Sequence, residues 1–205
     1  MMKRNAFTLA EVLTTLMVIG VVAAMTIPAL INSTDDQQNR VAFKKAMSVL
    51  GQAIQLNVAK EVDECFVTNA GECEDGTDEG FATWINNSLS GTRNGNTITT
   101  PDGMTYTFFV DGADSISECG TEAPTYSGAG DVTALSCGVM VDVNGTGKGT
   151  RALPAAMAAS NAVTDQYPLI ITSVGVYPFA NNGYSRAWQA MYGENAAAPN
   201  DVAFE

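Results

Sequence analysis

The chain has 205 residues, long enough for one ordinary domain plus an anchor and too short for two sizeable cores. Its 10 Lys and Arg against 22 Asp and Glu leave a formal charge of −12, which excludes nucleic acid as a partner, because phosphate binding needs clustered basic side chains. There is no histidine, so His-based triads and His-ligated metal sites are excluded and no enzyme is expected.

Residues 1–6 form a short polar leader with Lys3 and Arg4, and positive charge before a span keeps that end in the cytoplasm. From Phe7 to Ile31 there follow 25 residues of which one, Glu11, is charged. As a helix this run reaches about 37 Å at about 1.5 Å per residue, more than the roughly 30 Å hydrocarbon core of a bilayer. It is longer than the apolar region of an ordinary secretory signal, about 7–15 residues, and it continues directly into more helix. A plain single-pass anchor fits the length but leaves Glu11 unexplained, since an acid one turn inside an apolar helix costs on the order of several kcal/mol and such residues usually have a partner.

A basic leader, a small residue at Ala6, then "FTLAEVLTTLMVIGVVAAMTIPALI" resembles the cleavage and methylation signal of type IV pilins and type II secretion pseudopilins. Gly20 and Pro28 fall where that family often has a helix-loosening Gly and a Pro. The resemblance implies that a membrane-embedded aspartyl peptidase cuts between Ala6 and Phe7 on the cytoplasmic side and N-methylates Phe7. Glu11 then pairs with the freed amine of a neighbouring subunit, so that each buried charge meets its opposite. Implied partners are identical or related pilin subunits, the prepilin peptidase and the inner-membrane assembly machinery. The implied location is the bacterial inner membrane for the single-pass precursor and an extracytoplasmic or cell-surface filament for the product. Where Ala6 stands the family usually has Gly; alanine is small enough that cleavage is expected to survive, more slowly.

Pro28 removes a backbone hydrogen bond and is expected to kink or loosen the helix. Beyond it, Phe43, Met47, Leu50, Ile54 and Val58 form an apolar stripe at helical spacing, best read as packing against a sheet. One long helix fits both halves, residues 7–31 apolar and 32–62 amphipathic, although Asn32, Ser33 and Thr34 could instead cap a separate second helix. The segment "CFVTNAGECEDGTDEG" reads as an acidic surface loop that a Cys65–Cys73 bridge closes. Phe81, Trp84, Ile85 and Leu89 then mark a short helix with one apolar side.

Strand patterns follow around Ile98, at Met104–Val110, at Cys137–Val143 and around Ile170 and Val176, with a turn at Pro101-Asp102-Gly103 and a hairpin at Ser173–Gly175. These suggest an antiparallel meander beside the helix. Between them Asp111–Asp131 is a turn-rich excursion whose Cys119 is expected to pair with Cys137. The four cysteines match neither CxxC zinc pairs nor a redox motif, and an oxidising compartment favours two disulfides over a metal site.

In "VDVNGTGKG", Asp142 and Asn144 at alternate positions and then Gly145 look like the start of a calcium loop, without the closing Glu or third acid of an EF-hand. The segment is similar to a "DxNG" turn of pseudopilin-type heads that precedes another Asp, here Asp165, so calcium held by Asp142, Asn144 and Asp165 is one expectation. A strand ending in an Asx-Gly turn, explained by Asn144-Gly145 alone, is the simpler one. "ALPAAMAASNAV" reads as a short helix or a loop on the sheet, "SRAWQAMYGE" as a last short helix with Trp188 and Met191 on one side, and 195–205 as a mobile tail.

The expected fold is therefore α+β and pilin-like: a long N-terminal helix packed on a small antiparallel sheet within a head at 63–205. The expected function is a filament subunit. The alternative is a membrane-anchored binding module whose acidic head takes calcium.

Overall fold

The computed structural model of the chain describes residues 8–60, 78–110, 113, 115–120, 125–127, 137–145, 165–180, 186–193 and 201–203. Ala6, Phe7, Cys65, Cys73 and the alanine-rich 152–163 segment lie outside the described residues. The chain forms two compact units, Met1–Gln38 and Asn39–Glu205.

Helix α1, Leu9–Ala59, contributes to both units. It runs through Pro28 and through Asn32–Thr34 without a break, so no second helix starts there. An internal proline forfeits its own backbone bond, at about 3 kcal/mol, but leaves the bonds on either side intact. In the second unit the helix turns Phe43, Ala46, Leu50, Ala53, Ile54 and Asn57 inward, all buried. Of the expected stripe, Met47 is partly buried and packs against this core, whereas Val58 departs from it and is exposed. At about 100° per residue Val58 has rotated roughly 90° from the centre of the buried face, and Asn57 takes its place.

The sheet of this unit has six antiparallel strands in the order β1 (Thr92–Asn94), β2 (Thr97–Thr99), β3 (Thr105–Val110), β5 (Cys137–Asp142), β6 (Gln166–Thr172) and β7 (Gly175–Pro178). This is the expected meander with one more strand, β1. Because side chains alternate across a strand, the register sorts them into rows on two faces. On one face lie Tyr106–Val141–Tyr167 and Phe108–Val139–Leu169, all within the core that also holds Phe43, Leu50 and Ile54. Phe43 stacks on Tyr167 with ring centroids 4.5 Å apart. Each large apolar side chain buried here is worth about 1.5–3 kcal/mol.

Helix α2, Asp78–Leu89, presents Phe81, Trp84, Ile85 and Leu89 to the same core, as its spacing predicts. The Phe81 ring lies 5.1 Å from that of Phe108. Asn57 joins the two helices: its Nδ2 donates to the Trp84 carbonyl at 2.9 Å, and the Ser88 hydroxyl donates to its Oδ1. A buried amide satisfied at both ends sets one rotation of α1 against α2, which an all-apolar contact does not.

The excursion between β3 and β5 carries β4, Thr125–Ser127, which pairs with β8, Asp201–Ala203, in a ribbon separate from the main sheet. The tail expected to be mobile therefore holds a strand, because backbone pairing supplied from far away in sequence orders residues that have no apolar pattern of their own. Helix α3, Arg186–Tyr192, sits where the last helix was expected, with Ala187 and Ala190 buried, Met191 packed against the core and Trp188 against Tyr192 at 4.3 Å. Cys119 and Cys137 are joined, as expected, with Cα atoms 5.2 Å apart.

Lys45 Nζ donates to Asp102 Oδ2 at 2.8 Å, tying α1 to the turn between β2 and β3. Partial burial pushes the Asp102 carboxyl up, but the donors Lys45, Thr100 and the Met104 amide outweigh that and hold it below its ordinary value of 3.8. With both side chains more than a third exposed, the pair is worth about 0.2–1 kcal/mol. A carboxyl depressed by folding stabilises above its unfolded value and ceases to do so as pH falls through the folded one. Lys45→Ala should therefore lower stability in urea by up to about 1 kcal/mol at pH 7, and the difference from the native chain should close as pH falls below 3.8.

Candidate functional site

The first unit carries a long, exposed apolar surface. Leu9–Ile27, 19 residues, is long and apolar enough to cross a membrane, about 28 Å at about 1.5 Å per residue. Leu16, Met17, Val18 and Ile19 are each more than half exposed. Four consecutive helical residues point in four directions, so the apolar surface encircles the helix rather than forming one stripe.

At the start of this helix stands Glu11, and its carboxylate is engaged within the chain. The Thr8 amide donates to Glu11 Oε2 at 2.9 Å and the Thr8 hydroxyl to the same oxygen at 2.8 Å, while the Glu11 amide donates to Thr8 Oγ1 at 3.3 Å. This is a capping box: each residue of the pair satisfies a backbone N–H that the first helical turn leaves without an intrahelical acceptor. An acid in the first turn also faces the positive end of the helix dipole. The expense of Glu11 in an apolar run is thus partly offset by Thr8, before any second chain is involved. The signal was present as Thr8-x-x-Glu11 before an apolar run, and reading Glu11 only as a charge in hydrocarbon passes over it.

Further along, Thr14, Thr15 and Thr26 return their hydroxyls to carbonyls three or four residues back, so they add no unsatisfied donor to the apolar surface. A Cβ added at Gly20 meets nothing within 4 Å, so no contact among the described residues requires glycine there. Pro28 lies inside α1.

In the second unit, Asp142, Asn144 and Asp165 come to one end of the sheet, where the Val143 amide donates to the Asp165 carbonyl at 3.0 Å. Asp142 Oδ1 accepts from the Gly145 amide at 2.9 Å and the Asn144 amide at 3.3 Å, and Gly145 has φ +82°. A Cβ on Gly145 would meet the Gly103 carbonyl at 2.5 Å, so the turn is pressed against the β2–β3 turn. These are the features of an Asx turn closed by glycine. Among the described residues no group of three or more His, Cys, Asp or Glu is placed to hold a metal ion.

The same register builds a feature that strand patterns alone did not suggest. Thr99 pairs with Thr105, Thr105 with Asp142 and Asp142 with Gln166, so four polar side chains stand in a row across four strands, on the face opposite the aromatic core. Thr105, Asp142 and Gln166 are buried. Thr105 Oγ1 has no hydrogen-bond partner among the described residues. The alternation in "TIT" and "TYT" carries the signal, but only the register brings the row together.

No family model, no curated protein and no solved structure matches the chain.

Thr8→Ala should cost the helix start about 0.5–2 kcal/mol, read as faster amide exchange from Leu9 to Val12 in detergent micelles, with Thr8→Ser close to the native chain. Thr105→Val removes a buried hydroxyl without changing volume, and its urea-unfolding midpoint should stay level or rise; a loss above about 1 kcal/mol would mean the hydroxyl is bound to something.

Proposed function

We propose that the chain is a prepilin-like structural subunit with a pilin-like fold, cut between Ala6 and Phe7, N-methylated at Phe7 and polymerised through its N-terminal helix into a type IV pilus or type II secretion pseudopilus. The observation that carries this reading is a helix start with one acid, held by Thr8, below a span whose apolar surface is exposed all round. A lone anchor needs the span, and needs the acid only to cap the helix start. A subunit that joins others side by side in the membrane needs both, because apolar helices attract one another there without direction and a charge pair supplies the register.

In this mechanism the precursor sits in the bacterial inner membrane with Lys3 and Arg4 on the cytoplasmic side. Cleavage removes that leader and leaves an α-amine on Phe7, next to the residue whose hydroxyl and amide hold Glu11. The amine of a neighbouring subunit then competes with the Thr8 donors for the carboxylate. The Thr8 donors are neutral and leave the carboxylate's charge uncompensated, whereas the amine brings the opposite charge, so the exchange favours the paired state in a water-poor setting. Glycine at position 20, which no contact among the described residues requires, lets a second helix approach closely. Partners in this reading are further copies or related subunits, the prepilin peptidase and the inner-membrane assembly machinery. No substrate is turned over.

The mass of the mature N-terminus in cells that carry a prepilin peptidase tests the reading. The chain should begin at methylated Phe7, and Glu11→Ala should be cut normally yet fail to enter sedimentable filaments. An intact Met1 in such cells, or Glu11→Ala filaments equal to the native ones, would overturn it.

A further inference from the structure

The excursion between β3 and β5 leaves the sheet at Val110 and returns opposite it, since Val110 pairs with Cys137. Within it the 115–120 segment is fastened twice. Cys119 is bonded to Cys137 at the head of β5, and the Gly120 carbonyl accepts from the Ser173 amide at 2.9 Å and from the Ser173 hydroxyl at 3.0 Å, at the β6–β7 turn. Shortly after Gly120 the chain enters β4, which receives β8 through Thr125↔Ala203, Tyr126↔Val202 and Ser127↔Asp201. Three residue pairs in an isolated two-stranded ribbon are not stable by themselves in water. The ribbon's persistence therefore depends on what holds its two arms, and the covalent hold on the β4 arm is Cys119.

We propose that the Cys119–Cys137 disulfide is a redox latch on the C-terminal strand: oxidised, it keeps β4 where β8 can pair with it, and reduced, it lets the β4–β8 ribbon open while the six-stranded sheet persists. The two parts respond differently because the sheet is held by the core formed with α1 and α2, whereas among the described residues the strands of the ribbon pair only with each other. Opening the latch transfers two electrons and two protons from a dithiol, dithiothreitol or a dithiol protein. Its thiolate attacks one sulfur, a mixed disulfide forms, and its second thiol resolves it, leaving Cys119 and Cys137 as thiols and the reagent as a disulfide. Closing runs in reverse with a disulfide reagent as oxidant. Both cysteines are buried, so exchange is slow in the folded chain and the latch is set mainly as the head folds. The inference holds whether or not the chain enters a filament.

Hydrogen exchange read by mass spectrometry on the full chain tests it, comparing the oxidised protein, the dithiothreitol-treated protein and Cys119→Ser/Cys137→Ser, which keeps the other two cysteines. Peptides covering Thr125–Ser127 and Asp201–Ala203 should exchange at least tenfold faster in both altered forms, with Val139–Val141 and Leu169–Ile171 unchanged. Unaltered protection of the ribbon in the reduced protein would overturn the latch. Loss of protection across the whole sheet in the reduced protein would also overturn it, since the bond would then be a general staple. If the double variant fails to fold, the dithiothreitol-treated native chain alone decides between these outcomes.

Discussion

The contact between the inward stripe of α1 and the aromatic face of the sheet is what the second unit is assembled on. Phe43 stacks on Tyr167, and Leu50 and Ile54 lie in the same core as the Tyr106–Val141–Tyr167 and Phe108–Val139–Leu169 rows. The central strands β5 and β6 are buried on both faces, and the aromatic face is one the meander cannot bury alone. The helix supplies the cover, α2 closes the side with Phe81 and Ile85, and Asn57 sets the angle between them. Lys45 and Asp102 then add a modest tie at the surface rather than a foundation.

Along the same helix the physical demand reverses. From Leu9 to Ile27, apart from Glu11 and three threonines, the side chains are apolar and largely exposed, and the run is long and apolar enough to cross a membrane. In such a setting Glu11 has two ways to lower its cost. One is local, through the amide and hydroxyl of Thr8. The other is a cation brought by a neighbour.

Much of the second unit was legible because its periods are clean. Phe81, Trp84, Ile85 and Leu89 lie at helical spacing, and the strands around Ile98, Met104–Val110 and Cys137–Val143 alternate or run apolar as buried strands do. All lie where those patterns put them. Val58 failed because a stripe extended by sequence spacing alone drifts around the helix, and Asn57 went unnoticed because a buried amide looks like a surface residue until its partners Trp84 and Ser88 are in place. The 201–203 strand was illegible for the same kind of reason: backbone pairing with 125–127 orders it, and nothing in either segment announces the other.

The sequence by itself determined the span, the single acid inside it, the capping signal Thr8-x-x-Glu11 and the α+β class, because each depends on residues close enough along the chain for local periodicity to speak. Only the tertiary structure decided that Asp142 stands between Thr105 and Gln166, that Gly145 is pressed on Gly103, and that Gly120 fastens the excursion to the β6–β7 turn. Those relations are set by strand register, and register is a property of segments far apart in sequence whose pairing is chosen by what the whole sheet buries.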